Sequence, residues 1–194
     1  MGADQKMRIH SFMPRSRANG PGVRAVIWVQ GCTLKCPGCF NPAMLPKEGG
    51  DLVPVEELFK RIKAPGDSIE GITVSGGEPL QQMEPLLDLL QRVRNETSLS
   101  VLVFTVTGYI WDEVVVMKGG DTLLAQIDAL IAGRYDRSGR VAKGLLGSSN
   151  QTLHLISDRY SLEDLEAIPT AEVVITGNGE IMKSGIDPPV VNVA

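Results

Sequence analysis

All three cysteines of this 194-residue chain fall within eight residues, at Cys32, Cys36 and Cys39. A tight cluster with an odd number of cysteines is a poor disulfide framework, and a reducing compartment keeps such thiols reduced. Glycines and prolines bend the surrounding segment, 31–42, so three thiolates spaced C-x3-C-x2-C can converge on one small inorganic centre. The cysteines therefore predict thiolate chemistry on a loop.

Two kinds of metal centre compete for this loop. Structural zinc takes four protein ligands, but the sequence has no fourth cysteine, and its two histidines, His10 and His154, do not stand at zinc-finger spacing. An iron–sulfur cube usually takes four cysteines. Three would leave one iron without a protein ligand, which is the open position that a catalytic metal needs. Three buried thiols that only pack are a third interpretation, which the regular spacing and polar surroundings disfavour.

Outside the loop the chain alternates between short apolar runs and amphipathic segments. Strands are predicted at 24–29, 71–75, 100–106, 127–131, 152–156 and 171–176, and helices at 54–63, 85–95, 110–118 and 162–168. Gly177-Asn178-Gly179 is typical of a tight hairpin turn leading into 180–183. The alternation predicts an α/β fold with a mostly parallel sheet. A full eight-fold barrel needs roughly 250 residues, so an incomplete (β/α) barrel or an open sheet is expected.

Length and charge restrict the classes of protein further. We expect one domain over 1–194, with a core of about 19–176 and a hairpin and tail at 177–194. A net charge of −4 removes the electrostatic argument for direct nucleic-acid binding. No apolar run approaches the ~18–20 residues that cross a bilayer, and the first residues lack a secretory signal. A cytoplasmic protein that does not contact membranes is therefore expected.

Two motifs together make the chain resemble a known superfamily. They are the C-x3-C-x2-C segment followed by Phe40, and Gly76-Gly77-Glu78-Pro79 after the next predicted strand. This pair resembles the radical S-adenosylmethionine (radical SAM) superfamily. Asn19-Gly20-Pro21-Gly22 and Gly147-Ser148-Ser149-Asn150-Gln151 make the chain similar, more narrowly, to activating enzymes of glycyl-radical enzymes, above all those of anaerobic ribonucleotide reductase.

The resemblance implies the cofactors. Cys32, Cys36 and Cys39 would hold three irons of a [4Fe–4S] cluster, and S-adenosylmethionine (SAM) would bind the fourth. An electron from the cluster cleaves the sulfonium of SAM, and the resulting 5′-deoxyadenosyl radical abstracts a hydrogen atom. The chain has no further cysteines for auxiliary clusters. Electrons would therefore come from an external donor such as flavodoxin or ferredoxin.

The resemblance also implies a set of SAM contacts. Backbone contacts come from Gly38 and Cys39, beside an aromatic residue near the adenine, and the G-G-E-P segment contacts the methionyl amino group. Each position has an ordinary alternative as a turn, a helix cap or a core aromatic. The implied cofactor-binding residues are Gly38, Cys39, Phe40, Gly76, Gly77, Glu78, Pro79, Thr107 and Asn150.

Three other polar positions are less informative. The reductase activases commonly carry a second acidic residue where this chain has Ala132, which weakens a cation-binding role near Asp128. Arg24 and Arg134 are candidate anion contacts, although an exposed salt bridge is the favoured interpretation of both.

Three functions follow from these patterns. The first is an activase that installs a glycyl radical on a partner enzyme. The second is a radical SAM enzyme acting on a small molecule or peptide, suggested by the long segment after Gln151. The third is a zinc-stabilised or clusterless interaction module. The sequence contains no Ser/His/Asp arrangement, phosphate loop or dinucleotide fingerprint, so hydrolase, kinase and nicotinamide functions are disfavoured.

Overall fold

The computed structural model describes residues 5–104 and 108–188. The strands are β1 Lys6–Ser16, β2 Arg24–Val29, β3 Asp51–Pro54, β4 Gly71–Gly76, β5 Ser100–Phe104, β6 Ala129–Ala132, β7 Arg140–Lys143, β8 Leu146–Ser148, β9 Thr152–Leu155, β10 Ala171–Ile175 and β11 Ile181–Gly185. The α-helices are α1 Val55–Lys63, α2 Met83–Glu96, α3 Trp111–Val116, α4 Gly120–Leu124 and α5 Leu162–Glu166. Short 3-10 helices lie at Pro42–Met44, Gly66–Ser68, Pro79–Gln82 and Arg137–Gly139.

The central sheet has the strand order β3-β1-β2-β4-β5-β6-β9. Neighbouring strands among β2, β4, β5 and β6 are parallel, whereas β1, β3 and β9 join the sheet antiparallel. The predicted α/β fold is therefore confirmed, with a sheet that is parallel at its centre and antiparallel at both edges. Across the described ranges, no helix combines the length and apolar character that a membrane span requires.

Six strands differ from the sequence prediction, which contained no strand at β3, β7 or β8. The prediction omitted β1, because its buried residues alternate with polar ones instead of forming an apolar run. β9 was expected to continue the parallel alternation, but it follows the β7–β8 hairpin rather than a helical crossover and pairs antiparallel with β6. β10 leaves the main sheet and pairs with β11 across the predicted 177–179 turn, which confirms that hairpin.

Helices α1 and α2 cover one face of the sheet. Leu58 and Ile62 of α1 and Leu89 of α2 are fully buried in one cluster with Ile27 and Val74 of the parallel strands. This arrangement confirms the apolar faces predicted for both helices. Because side chains alternate along a strand, the neighbouring residues of β2 and β4 face away from α1 and α2.

The opposite face, here called the open face, carries polar side chains and is covered in part by a smaller hydrophobic cluster. Trp28 of β2 pairs with Ser75 of β4 on this face. Leu145, from the β7–β8 hairpin, and Leu165 of α5 pack here with Ile131, and this second cluster also contacts Phe40. The open face therefore meets both the cysteine loop and the C-terminal part of the chain.

Arg24 lies inside the protein rather than in the exposed salt bridge that the sequence favoured. Its side chain is fully buried, and its guanidinium donates to Thr73 Oγ1 (2.9 Å), Ser100 Oγ (2.8 Å) and the Ile72 carbonyl (2.6 Å). Burial lowers the pKa of Arg24. A Cβ at Gly71 would approach Arg24 Nη2 to 2.5 Å, so a glycine there makes room for the guanidinium. Arg24 thus ties together the first residues of three parallel strands.

We expect Arg24→Ala to lower the free energy of unfolding by about 3 kcal/mol, because it leaves several buried oxygens without a donor. The measurement is urea denaturation of the anaerobic apoprotein. Arg61→Ala, which removes an exposed ion pair with Glu57, is the matched control and should change stability little. Equal losses for the two variants would contradict a structural role for the buried guanidinium.

Candidate active site

The cysteine loop connects the end of β2 to the start of β3 and closes on itself through backbone hydrogen bonds. Gly31 N donates to the Met44 carbonyl (2.9 Å), and Cys32 N donates to the Leu45 carbonyl (3.0 Å). Cys39 N donates to the Cys36 carbonyl (3.1 Å), which forms a turn between the second and third cysteines. The loop is therefore a compact unit, although it contains only one short 3-10 helix.

Two glycines at the end of β4 hold this loop against the sheet. Gly77 N donates to the Val29 carbonyl (2.8 Å), and the next amide, of Glu78, donates to the Gly31 carbonyl (2.9 Å). A Cβ at Gly77 would lie 2.4 Å from the Gly31 carbonyl oxygen, and one at Gly76 would lie 2.4 Å from Val29 N. The backbones approach so closely that neither position has space for a side chain. They meet at the carboxyl ends of parallel strands, where α/β sheets bind ligands.

Two residues with positive φ bend the chain between the cysteines. Gly38, with φ of 70°, lies between Cys36 and Cys39, and a Cβ there would approach Arg137 Cδ to 2.8 Å. Lys35, with φ of 52°, lies between the first two cysteines. A lysine in the left-handed region is uncommon, and nothing in the residue type indicates it. Sequence reasoning therefore missed this bend.

The three thiols lie at the inner side of the loop and influence one another. Cys32 and Cys36 are buried, Cys39 is half-buried, and they are not joined by disulfides. Burial raises the pKa of Cys36 and Cys39, and the charges of the neighbouring cysteines raise it further. Thiolates whose charges act on one another in this way repel unless a positively charged centre offsets their charge. The donor set therefore suits a cationic metal centre.

The three thiol donors suit a cluster rather than a single metal ion. Among the described residues, no three cysteine, histidine or carboxylate side chains are poised around one metal ion. In a [4Fe–4S] cube each cysteine binds a different iron, so the sulfurs surround the cluster and need not meet at one point. The soft thiolate donors of Cys32, Cys36 and Cys39 fit iron–sulfur chemistry.

The Glu78 carboxyl lies next to this junction and is fully buried. Its Oε1 accepts a hydrogen bond from Leu80 N (3.0 Å), whereas the buried Oε2 has no hydrogen-bond partner in the described part of the chain. Burial raises the pKa of Glu78 to about 8. Glu78 is therefore not an ordinary surface acid. A buried carboxyl oxygen without a donor is costly, and a ligand with an N–H group would satisfy it.

The segment after β6 borders the cysteine loop on its other side. A backbone hydrogen bond from Tyr135 acts on the Cys36 thiol and opposes the rise in its pKa. The Phe40 and Tyr135 ring centroids lie 6.2 Å apart. Arg134 pairs with Glu113 through two hydrogen bonds of 2.8 and 3.0 Å, which confirms its predicted surface salt bridge.

The G-S-S-N-Q segment is joined to the same region. Asn150 is exposed, and its Nδ2 donates to the Arg134 carbonyl (2.8 Å). Gln151 donates to the Gly133 carbonyl (3.0 Å) and accepts from Gly147 N (2.8 Å). The structure thus brings this motif against the segment that borders Cys36. Thr107 lies outside the described residues.

Asp128 lies at the start of β6 and is used within the protein. Its carboxylate accepts hydrogen bonds from Val101 N (2.7 Å) and Ser157 Oγ (2.7 Å) and pairs with Arg94 (3.0 Å). Burial by itself raises the pKa of Asp128, but these three donors hold it below the usual range. The Asp128 carboxylate therefore anchors the neighbouring strand and loop.

Comparisons with known proteins agree with this site. Residues 18–154 match the family described as "4Fe-4S single cluster domain". The anaerobic ribonucleoside-triphosphate reductase-activating protein of Salmonella typhi is 32% identical over 154 residues, which cover 76% of this chain and 98% of that protein. The protein of the same name from Enterobacteria phage T4 is 30% identical and covers 76% of this chain and 93% of its own length.

Two further proteins match smaller parts of the chain. The pyruvate formate-lyase-activating enzyme of Clostridium pasteurianum is 42% identical over 93 residues, covering 46% of this chain and 39% of that enzyme. The crystal structure of QueE from Escherichia coli covers 54% of this chain and 55% of its own, with a TM-score of 0.40 and 19% identity, a likeness too partial to carry an argument.

We expect Gly77→Ala to reduce the iron retained by the protein, because the added methyl group would displace the carbonyls of Gly31 and Met44 at the base of the cysteine loop. Iron and sulfide are measured after anaerobic reconstitution. Gly177→Ala is the matched control, since no atom lies within 4 Å of a Cβ built there. Full iron content in Gly77→Ala would contradict the close-approach argument.

The raised pKa of Glu78 predicts a pH-dependent stability. Folded protein retains a proton that the unfolded chain releases above about 4.5, so the free energy of unfolding should fall as pH rises from there to about 8. The slope is at most about 1.4 kcal/mol per pH unit. Glu78→Gln should lose this component in denaturation of the apoprotein, whereas Glu84→Gln, at an exposed position, should keep it. Parallel profiles for wild type and Glu78→Gln would refute the assignment.

Proposed function

This chain belongs to the 4Fe-4S single cluster domain family and to the anaerobic ribonucleoside-triphosphate reductase-activating proteins, and we propose that it generates the glycyl radical of an anaerobic ribonucleotide reductase. The protein is a radical SAM activase whose cofactors are a [4Fe–4S] cluster and SAM. When bound, the cluster supplies the electron that cleaves SAM to methionine and a 5′-deoxyadenosyl radical.

The observation that carries this proposal is the cysteine loop held against the G-G-E-P segment at the ligand-binding edge of the sheet. We propose that Cys32, Cys36 and Cys39 each bind one iron and leave the fourth for SAM. The burial and mutual repulsion of the thiols support this role, because a cationic centre relieves both.

We propose the SAM contacts on similar grounds. The buried Oε2 of Glu78, which has no donor among the described residues, supports an ammonium site at the G-G-E-P segment. Phe40 follows Cys39 in the loop and has its ring near that of Tyr135, which supports its position next to the adenine. The proposed set is Gly38, Cys39, Phe40, Gly76, Gly77, Glu78, Pro79, Thr107 and Asn150.

Further parts of the proposal concern the whole protein. We propose that it is one radical SAM domain with an incomplete barrel, that it works in the cytoplasm, and that it does not bind nucleic acid directly. The central run of four parallel strands supports the barrel relationship. The chain contains three cysteines, all of which the first cluster would use. The proposed source of electrons is therefore an external flavodoxin or ferredoxin.

A second function keeps the cofactors and changes the substrate. The family match ends at residue 154, whereas the structure continues through α5 and the β10–β11 hairpin. This added structure favours, as the alternative, a radical SAM enzyme acting on a small molecule or peptide. The iron–sulfur family assignment replaces the zinc-module interpretation.

The test combines reconstituted protein, SAM, dithionite and the anaerobic ribonucleotide reductase of the same organism. We expect 5′-deoxyadenosine in chromatography and a glycyl signal on the reductase in electron paramagnetic resonance. Cys36→Ser should abolish both, because it removes one thiolate of the cluster. If 5′-deoxyadenosine forms but the reductase gains no radical, the activase function fails and the alternative is favoured.

A further inference from the structure

The C-terminal segment, residues 156–188, lies beyond the family match at 18–154 and packs back towards the cysteine loop. It contains α5 and the hairpin of β10 and β11. Ile168, which follows α5, and Ile186, which follows β11, are both buried. The segment is therefore part of the packed structure, although its residues have no counterpart in the family match.

A buried polar contact anchors the hairpin to the N-G-P-G motif. Asn19 Nδ2 donates to Ser184 Oγ of β11, and both side chains are buried. On β10, the Glu172 carboxylate accepts from Arg17 N (2.9 Å) and from Ser16 Oγ. Asn19, which belongs to a motif that resembles the activases, thus holds a hairpin that lies outside the family match.

A second contact links the end of the hairpin to the residue after the third cysteine. Asp187 Oδ1 accepts a hydrogen bond from Arg140 Nη2 (2.6 Å). The Arg140 guanidinium carbon lies 5.3 Å from the centroid of the Phe40 ring, within cation–π range. Because the Arg140–Asp187 pair is exposed, it adds little stability. The Arg140 side chain thus connects the end of the hairpin to the Phe40 ring.

The hairpin and the cysteine loop meet at a cavity of about 60 Å³ on the open face. Its wall is formed by the N-G-P-G motif, the carboxyl ends of β2 and β4, the loop after the third cysteine, the β7–β8 hairpin and the end of β11. The lining residues are Asn19, Trp28, Phe40, Asn41, Ser75, Leu145, Gly185 and Ile186.

We propose that Gly185 and Ile186 form the part of this wall that positions the substrate. This part of the wall admits a glycyl stretch of a partner protein's main chain and excludes residues with large side chains. The inference rests on the proposed activase function and adds the residues that select its substrate. The reaction that they position moves one hydrogen atom from the glycine Cα to the 5′ carbon of the deoxyadenosyl radical, leaving a glycyl radical and 5′-deoxyadenosine.

The size and chemistry of the cavity support this occupant. An apolar cavity of about 150 Å³ binds one benzene molecule, so a space of about 60 Å³ suits a few main-chain atoms and is too small for an aromatic ring. Gly185 has φ of 114°, and a Cβ there would lie 2.4 Å from the Thr170 carbonyl oxygen, so this part of the wall is bare backbone. Asn41 and Ser75 bring polar side chains, which suit the N–H and C=O groups of an entering peptide.

The decisive variant is Ile186→Phe, which fills the cavity. We expect binding of the reductase, measured without reductant so that no chemistry occurs, to weaken about tenfold, or about 1.4 kcal/mol. The glycyl radical yield should fall similarly, while 5′-deoxyadenosine formation without the reductase stays within about twofold. Ile175→Phe is the matched control, because Ile175 is 71% exposed on the same hairpin, and it should leave all three values unchanged.

Ile186→Ala keeps the test decisive if the larger side chain prevents folding. This variant widens the cavity, so we expect more 5′-deoxyadenosine for each glycyl radical formed, at unchanged iron content and circular dichroism. If a folded, iron-loaded Ile186 variant binds the reductase and forms the radical as the wild type does, the role proposed for Gly185 and Ile186 is refuted, and the proposed activase function stands. Equal losses of binding and radical yield in Ile175→Phe would also refute this role, because they would show that the reductase contacts the outer surface of the hairpin instead. A wild-type protein that forms no glycyl radical would overturn the proposed function and this inference together.

Discussion

The site depends on the approach of two backbones that leaves no space for a side chain. The end of β4 and the start of the cysteine loop come together where Gly76 and Gly77 lie, and two amide-to-carbonyl hydrogen bonds hold them there. The loop contains little regular structure, so its position is inherited from the sheet through this contact. Thiolates that must surround an inorganic cluster have to be held in fixed positions. Because the loop has little regular structure, the sheet supplies this fixed position.

The two faces of the sheet have different roles: one packs against the main hydrophobic core, and the other carries polar side chains. The face under α1 and α2 is apolar and supplies most of the buried hydrophobic surface. The open face carries Trp28 and Ser75 towards the cavity, and it buries Arg24 among neutral oxygens at the other end of the strands. Polar groups on this face are costly to bury, and the guanidinium offsets that cost by donating to several of them. The proposed chemistry therefore lies on the face opposite α1 and α2.

Sequence reasoning predicted the parts of the site whose residue types are tied to their chemistry. Cysteines at fixed spacing and a Gly-Gly pair after a buried strand are such signals, and the structure brings both together. Arg24 gave no such signal, because its burial depends on contacts with β4 and β5, far away in the chain. The left-handed backbone of Lys35 was missed because nothing in the residue type indicates it. The direction of β9 was missed for a similar reason, since pairing follows the three-dimensional path of the connection rather than local composition.

The boundary of the family match separates two requirements of radical chemistry. Forming the radical needs the cluster, SAM and the residues around them, and the residues proposed for these roles lie within 18–154. Using the radical needs a C–H bond held at about 3–3.5 Å, because hydrogen transfer depends on proximity and orientation. A carbon radical reacts with whichever suitable C–H bond is nearest, so the surrounding wall selects the substrate more than the chemistry does. In this chain Asn19 and Arg140, both inside the matched region, contact the hairpin and its end, which contribute Gly185 and Ile186 to that wall. These contacts join the matched region to a segment that lies outside the family match.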